Sequence, residues 1–366
     1  MALIGRNKFL FYTRRALWIF FVWVILSLLI FFYEYITLVS NNALTSEYDF
    51  LSAITAYLLV SVSASVIGGI VTVNLMEYWL RRFAFWQALV LIIVAYTLVS
   101  IFLGALGSLY INGQELGLPM FHPEVMQELF MFYGKAIFIK NYILWLLIVL
   151  VTLVVLMVND KYGPGVFLDF LQGKYFHPKR EHRIFMFADI KDATTIAEQV
   201  GEANYFNFLK DFFKYVAPAI IETKGEVYQY VGDEIVVSWK IKKGLEKANA
   251  LRCFYLMKKL IEKKAAHFEK QYQCQPNFKA GFHFGAVMVG EIGQIKREIA
   301  FSGDVLNTTS RIQAKCNELG VDILVSEAFE KTNKVLPAGI ETVYLGAHEL
   351  KGKAEKMELV TFRNEI

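Results

Sequence analysis

Arg183-Ile184-Phe185-Met186-Phe187-Ala188-Asp189-Ile190-Lys191-Asp192-Ala193-Thr194-Thr195 is the stretch from which the C-terminal half of this 366-residue chain is read. Residues 184–189 form an apolar run closed by a carboxylate, the pattern of a buried strand. The run then passes into a Thr-rich helix start. Free amides at such a start receive phosphate oxygens. Asp189 is therefore a candidate metal ligand, with the Ile190 carbonyl placed to help, and Thr194 and Thr195 are candidate substrate contacts. Taken alone, these residues are better read as an ordinary strand end with Asp and Thr as helix caps.

Working outward, residues 194–223 read as one helix with Phe206, Leu209, Phe213, Val216 and Ile220 on a single stripe. Pro218 inside that stripe predicts a kink, and Gly225 marks a C-cap region. Residues 226–230 and 235–239 read as a hairpin around Gly232-Asp233. Residues 245–271 form another amphipathic helix. Residues 278–284 and 287–292 read as a second strand pair joined at Gly285-Ala286. A helix over 304–317, a strand at 323–326 and strands near 342–345 and 357–362 complete the pattern. The core order is βαββαβ, a ferredoxin-like α+β arrangement with an appended α/β part.

The N-terminal half is different in kind. The chain is 55% hydrophobic with mean hydropathy +0.39, too apolar for an ordinary soluble enzyme of this size. The excess lies in four runs long enough to cross a bilayer, at about 16–37, 51–76, 83–111 and 136–158. A cleaved signal peptide is not expected, because the first run is long and further spans follow. Arg6, Lys8, Arg14, Arg15, Arg81, Arg82, Lys161, Lys174, Lys179, Arg180 and Arg183 flank one side of the spans, which places both termini in the cytoplasm. Small residues at helical spacing, Ala64, Ser65, Gly68, Gly69, Gly104 and Ser108, fit either packing within one bundle or a dimerisation face. The expected organisation is a four-helix transmembrane domain over 1–158, a Pro/Gly-marked juxtamembrane linker over 159–182 and a catalytic domain over 183–366. The net charge of +4 follows from Lys and Arg beside the membrane and calls for no nucleic acid. Cys253, Cys274 and Cys316 lack metal-ligand spacing and read as reduced and structural.

Asp233, in Tyr230-Val231-Gly232-Asp233-Glu234, is a second carboxylate at a strand end; alone it is also just a turn. Asn307 and Arg311, in Gly303-Asp304-Val305-Leu306-Asn307-Thr308-Thr309-Ser310-Arg311, are four apart and share a helix face. Two carboxylates able to hold two hard divalent cations, an amide and a guanidinium suit phosphoryl or nucleotidyl transfer.

In this order, and on this βαββαβ pattern, these segments resemble the class III adenylyl/guanylyl cyclase catalytic domain, over residues 183–362. Gly281-x-His283-x-Gly285 and Gly290-Glu291-Ile292-Gly293 resemble further segments of the family. The resemblance implies that Asp189 and Asp233 bind two Mg²⁺ or Mn²⁺ ions, Asn307 orients the ribose and Arg311 stabilises charge at the transferring phosphate. Lys351 and Lys353 resemble the basic element that reaches the terminal phosphates, with Lys296 and Arg297 weaker candidates; His283 is expected to be packed rather than catalytic. It further implies a homodimer, because the family takes the metal ligands from one subunit and the Asn/Arg pair from the other. The substrate would be a nucleoside triphosphate.

The base-reading positions depart from the family. Gln229 stands where its adenine-reading members carry Lys, and Ala300 where they carry Asp, Thr or Ser. ATP is favoured on family frequency, with GTP or a pyrimidine nucleotide as alternatives. A non-catalytic nucleotide-binding membrane receptor and a palm-type diguanylate cyclase are the competing readings. The membrane half is left with a lipid, ion or outer ligand to sense, or with holding two catalytic domains together; Glu115, His122, Glu124 and Glu128 in the second outer loop are candidate cation contacts.

Overall fold

The computed structural model describes residues 2–44, 48–74, 85–162, 172–295, 297–333, 335–337, 339–353 and 355–364. Arg81, Arg82, Lys296 and the Gly163-Pro164-Gly165 joint lie outside the described residues, as do the side chains of Arg6, Lys8 and Lys161. The chain divides into two compact units, Lys8–Lys161 and one built around Tyr162–Ile366.

The first unit contains α1 (Ala2–Ser40), α2 (Phe50–Asn74), α3 (Phe85–Leu116), α4 (Pro123–Gly134) and α5 (Ala136–Tyr162). Four of these, α1, α2, α3 and α5, are long and apolar enough to cross a membrane. The short α4 lies inside the segment read as a loop. Its start was available in the sequence: His122 caps the Glu124 amide, and Pro123 occupies the first turn. The small residues pack inside this unit. A Cβ on Gly68 would fall 2.2 Å from the Trp23 ring, one on Gly107 2.8 Å from Val60, and one on Gly104 3.2 Å from Phe138. Cross-helix polar bonds among the described residues include Trp23 Nε1 donating to Thr152 Oγ1 (3.0 Å), Thr97 meeting Tyr142 (2.8 Å), Tyr133 Oη donating to the Ile101 carbonyl (2.7 Å) and Lys140 pairing with Glu34 (2.7 Å).

The second unit opens with β1 (Lys179–Ile190), followed by α6 (Ala193–Val200) and α7 (Glu202–Glu222). The expected single helix is thus two, separated at Gly201, whose φ of +78° lies in the glycine-favoured region. Pro218 sits inside α7 without ending it. Next come β2 (Glu226–Val231), β3 (Glu234–Lys240), α8 (Ile241–Leu245), α9 (Asn249–Glu262) and α10 (Ala265–Tyr272). The expected helix over 245–271 is broken twice, first where Lys247 and Ala248 take positive φ. The remainder is β4 (Phe278–Ile292), β5 (Glu298–Ser302), α11 (Asp304–Leu319), β6 (Ile323–Ser326), α12 (Glu327–Thr332), β7 (Ile340–His348) and β8 (Met357–Asn364).

The sheet order is β2-β3-β1-β4-β6-β8-β7, with β5 paired to β4. Its first four strands have the ferredoxin-like order that βαββ connectivity requires. Strand β1 alternates between two cores. Ile184, Met186, Ala188 and Ile190 meet Phe208, Phe212, Phe254 and Phe278 on one face. Phe185 and Phe187 meet Val236, Val287 and Val305 on the other.

The expected hairpin at Gly285-Ala286 is not present. Strand β4 runs unbroken through it and pairs with β1 from Phe278 to Val289. The glycines there serve helix packing rather than a turn. A Cβ on Gly281 would lie 2.4 Å from the Gln313 backbone nitrogen, and one on Gly285 2.5 Å from Val305. These two positions share a strand face and let α11 lie directly on β4.

Candidate active site

Strand pairing places the acidic centre. Asp189 lies opposite Glu234 on β3 and opposite Lys279 on β4, so three ionisable side chains form one row across the sheet. Asp233 adjoins the row from the β2–β3 turn, where Gly232 has φ +60°. The row lies on the Phe185–Phe187 face, the face that α11 covers. From α11, Gln313 Nε2 donates to Asp189 Oδ2 at 3.0 Å. The Lys279 ammonium lies 3.2 Å from the same oxygen and donates to Asn317 Oδ1 at 3.1 Å.

Negative charge is crowded here beyond what one buried ammonium offsets. Burial, then the charge of Asp189, pushes the Asp233 carboxyl above the usual carboxylate range. Burial, then Asp189 and Asp233, pushes Glu234 up to about 7. Among the described residues, no group of three or more His, Cys, Asp and Glu is arranged to hold a metal. The oxygen donors at this centre are the carboxylates and the backbone. Ile190 is buried at the end of the same strand.

A second, basic cluster forms at the start of α11. Lys353 pairs with Asp304, and Thr308 also donates to Asp304 (3.2 Å). Gly352 approaches Arg311 so closely that a Cβ there would lie 3.2 Å from Nη2. Lys351 is exposed in the same turn. Asn307 is exposed and Arg311 half-buried. Arg311 and Gln313 are two residues apart on one helix, hence separated by about 200° around its axis. The face carrying Asn307 and Arg311 is therefore turned away from the face that reaches Asp189 of the same chain.

The remaining sequence candidates fall as follows. Thr194 and Thr195 are exposed in the first turn of α6, and Asp192 makes no side-chain cap there. Gln229 is exposed on β2 beside a bulge, and Ala300 is half-buried opposite Gly290 on β5. Their chain neighbours touch: the Phe301 amide donates to Tyr228 Oη at 3.4 Å, and the two rings meet edge-on. His283 is packed, with Nδ1 2.7 Å from Ser326 Oγ, and burial lowers its pKa to about 4. Arg297 is exposed and lies 3.6 Å from Glu291. The three cysteines are free thiols, Cys253 and Cys316 buried. Glu234, Lys279 and Gln313 did not stand out in the sequence, although Lys279 is a charge set between Phe278 and Ala280 in a largely apolar strand.

The adenylate and guanylate cyclase catalytic-domain family model matches residues 177–363. Adenylate cyclase 2 of Rhizobium meliloti is 31% identical over 207 residues, which cover 57% of this chain and 57% of that protein. Adenylate cyclase 1 of the same organism is 24% identical over 185 residues, 49% of this chain and 27% of that one. The chain thus spans little more than half the length of these relatives, or less. A bacterial light-regulated adenylyl cyclase structure shares the fold, with TM-score 0.51 and 20% identity over 63% of this chain and 66% of that one. With the family model covering half of its length, the chain belongs to the adenylate and guanylate cyclase catalytic-domain family.

Proposed function

We infer that this protein is a membrane-anchored nucleotidyl cyclase. It converts a nucleoside triphosphate, ATP by preference, to the 3′,5′-cyclic nucleotide and pyrophosphate, as a signal-generating homodimer. The four apolar helices anchor it, with both termini and the catalytic domain in the cytoplasm. The reading divides the chain into a membrane domain at 1–158, a linker at 159–182 and a catalytic domain at 183–366. The observation that carries the reading is the acidic row, where Asp189, Asp233 and Glu234 repel one another beside a single buried ammonium.

The donor set fits hard divalent cations, because carboxylate and carbonyl oxygens suit Mg²⁺ or Mn²⁺. Asp189, Asp233 and the Ile190 carbonyl would hold two such ions, leaving the remaining positions to water and phosphate. Bound there, the ions would supply Lewis acidity toward the attacking hydroxyl and the triphosphate. The chain's own groups do the rest. Gln313 and Lys279 fix the orientation of Asp189. Asn307 positions the ribose so that its 3′ oxygen meets the α-phosphorus in line, and Arg311 stabilises the charge that develops as pyrophosphate leaves. Lys351 and Lys353 hold the terminal phosphates, while Thr194 and Thr195 offer hydroxyls at the start of α6. Gln229 and Ala300 face the base; the amide of Gln229 both donates and accepts, which tolerates adenine.

The two-sided geometry of α11 supports the homodimer. One copy directs its carboxylates to the site, and the opposite helix face of a second copy supplies Asn307 and Arg311. The test is a product assay on the full-length protein with Mn²⁺ or Mg²⁺ and each of ATP, GTP, CTP and UTP, read by mass spectrometry. Cyclic AMP formed by the wild type and lost in Asp233→Asn is the expected result. Nucleotide binding without any cyclic product would overturn the reading in favour of a receptor.

A further inference from the structure

The membrane unit contains a partly open cavity of about 560 Å³, within the size range of small-molecule sites. It lies wholly within the four-helix unit and has two unlike ends. At the end that carries the end of α1, the start of α2 and α4, the lining includes Glu34, Tyr48, Glu115, Lys135 and Asn141. At the other end it is closed by Trp23, Ile92, Val149 and Leu153. Glu34 and Trp23, on one helix, are 11 residues apart, so the lining extends about 16 Å along the bundle.

The polar end offers little net charge. Glu34 is paired with Lys140 at 2.7 Å, and Lys135 with Glu128 at 3.4 Å. Glu115 is exposed at the rim. The Asn141 side-chain oxygen is buried and has no hydrogen-bond partner among the described residues. An unsatisfied amide oxygen in an apolar bundle is costly, and a bound group that donates to it removes that cost. A charged head would have to leave water, and the remaining lining carboxylate, Glu115, sits at the exposed rim rather than inside the cavity, so burying such a head is unfavourable.

We propose that this cavity is a binding site for a single-chain amphiphile whose uncharged head donates a hydrogen bond to Asn141 and whose alkyl tail fills the Trp23–Leu153 end. A hydroxyl or secondary-amide head satisfies the first condition. The tail meets aliphatic side chains and two indoles, Trp23 and Trp145, whose rings are 6.0 Å apart and set edge to face. The site rests on the cavity alone, so it stands or falls independently of the cyclase reaction.

Those indoles provide the readout. The full-length protein in phospholipid nanodiscs is titrated with a medium-chain alcohol brominated at its far carbon, and tryptophan quenching is followed. The expected result is a saturable component in the wild type. It is lost when Ala56, buried in the cavity wall, is enlarged in Ala56→Phe. The matching methyl ether, which cannot donate, should bind about tenfold more weakly, one hydrogen bond's worth. Asn141→Leu, an apolar change suited to a membrane helix, should erase that preference while retaining saturable quenching. Quenching that rises linearly with probe in the wild type, as simple partition into lipid gives, would overturn the proposal. Equal affinity for alcohol and ether in the wild type would overturn the role of Asn141 and with it the head-group assignment.

Discussion

The two flanks of α11 treat charge in opposite ways. On the Gln313 flank, three carboxylates face a single ammonium, and two of them are pushed toward protonation. On the Arg311 flank cations predominate, and one of them, Lys353, is held by Asp304. On the proposed reading, the first flank takes up cations and the second exchanges Asp304 for a phosphate. The flanks point about 200° apart around the helix axis, which is the basis for proposing that two chains share each site.

The most severe way to break this comparison is to remove one carboxylate. Asp233→Asn should lower cyclase turnover by about a hundred- to a thousandfold, the scale expected for losing a principal electrostatic contributor. The same change should raise the thermal midpoint in the presence of a chelator, since it relieves repulsion with Asp189. A destabilised, inactive variant would mean that Asp233 is structural and the charge argument is wrong.

Complementation tests the opposed flanks directly. Asp233→Asn and Arg311→Ala are each expected to be inactive as homodimers. Co-expressed in equal amounts, they should recover about a quarter of wild-type activity, because about half of the dimers are mixed and each has one intact site. Recovery near zero would place both residues in the same site from the same chain.

Lys279 sharpens the acidic flank. It is 7% exposed and lies beside Asp189. Lys279→Met leaves that carboxylate without its cation, so stability in chelator should fall, by roughly 3 kcal/mol for breaking a buried pair. Added Mn²⁺ should recover more stability in this variant than in the wild type. On the basic flank the effect is smaller. Asp304→Asn frees Lys353 and should lower KM for the triphosphate two- to threefold at low salt, with kcat unchanged; the range is an order-of-magnitude allowance for an exposed pair, about 0.5 kcal/mol. An increase in KM would mean that Asp304 positions Lys353 rather than competing for it.

Much of this was legible in the sequence because it is local. The four spans are sustained apolar runs, and 184–189, 235–239 and 323–326 are short runs with a single sensible period. The positions that misled are those where a residue serves a distant partner. Gly285 looks like a turn, but it is small because Val305 lies above it. The helix over 194–223 has a continuous apolar stripe, and periodicity does not register the backbone reversal at Gly201. Strand β5 is short and half-exposed, and its pairing partner sits across a turn. At the site, Asp189 and Asp233 were readable as strand ends. Glu234 and Lys279 became part of it only through register, which aligns them with Asp189 across two strand pairs.

The smallest expected effect concerns His283, which lies between Gly281 and Gly285 on the strand face covered by α11. Burial, then the nearby Lys353 charge, holds its folded pKa at about 4, against an ordinary value of 6.5. Between those values the unfolded chain takes up a proton that the folded chain does not. Its contribution to stability is therefore fully present above about 6.5 and is lost as pH falls toward 4. His283→Gln should flatten this part of the pH–stability curve of the C-terminal unit, measured by calorimetry on the full chain between pH 4.5 and 7.5. The glutamine can retain a bond to Ser326, so the loss at pH 7.5 should be modest and the difference from wild type should shrink, then reverse, on acidification. Parallel curves for the two proteins would show that the imidazole stays accessible to protons in the folded state.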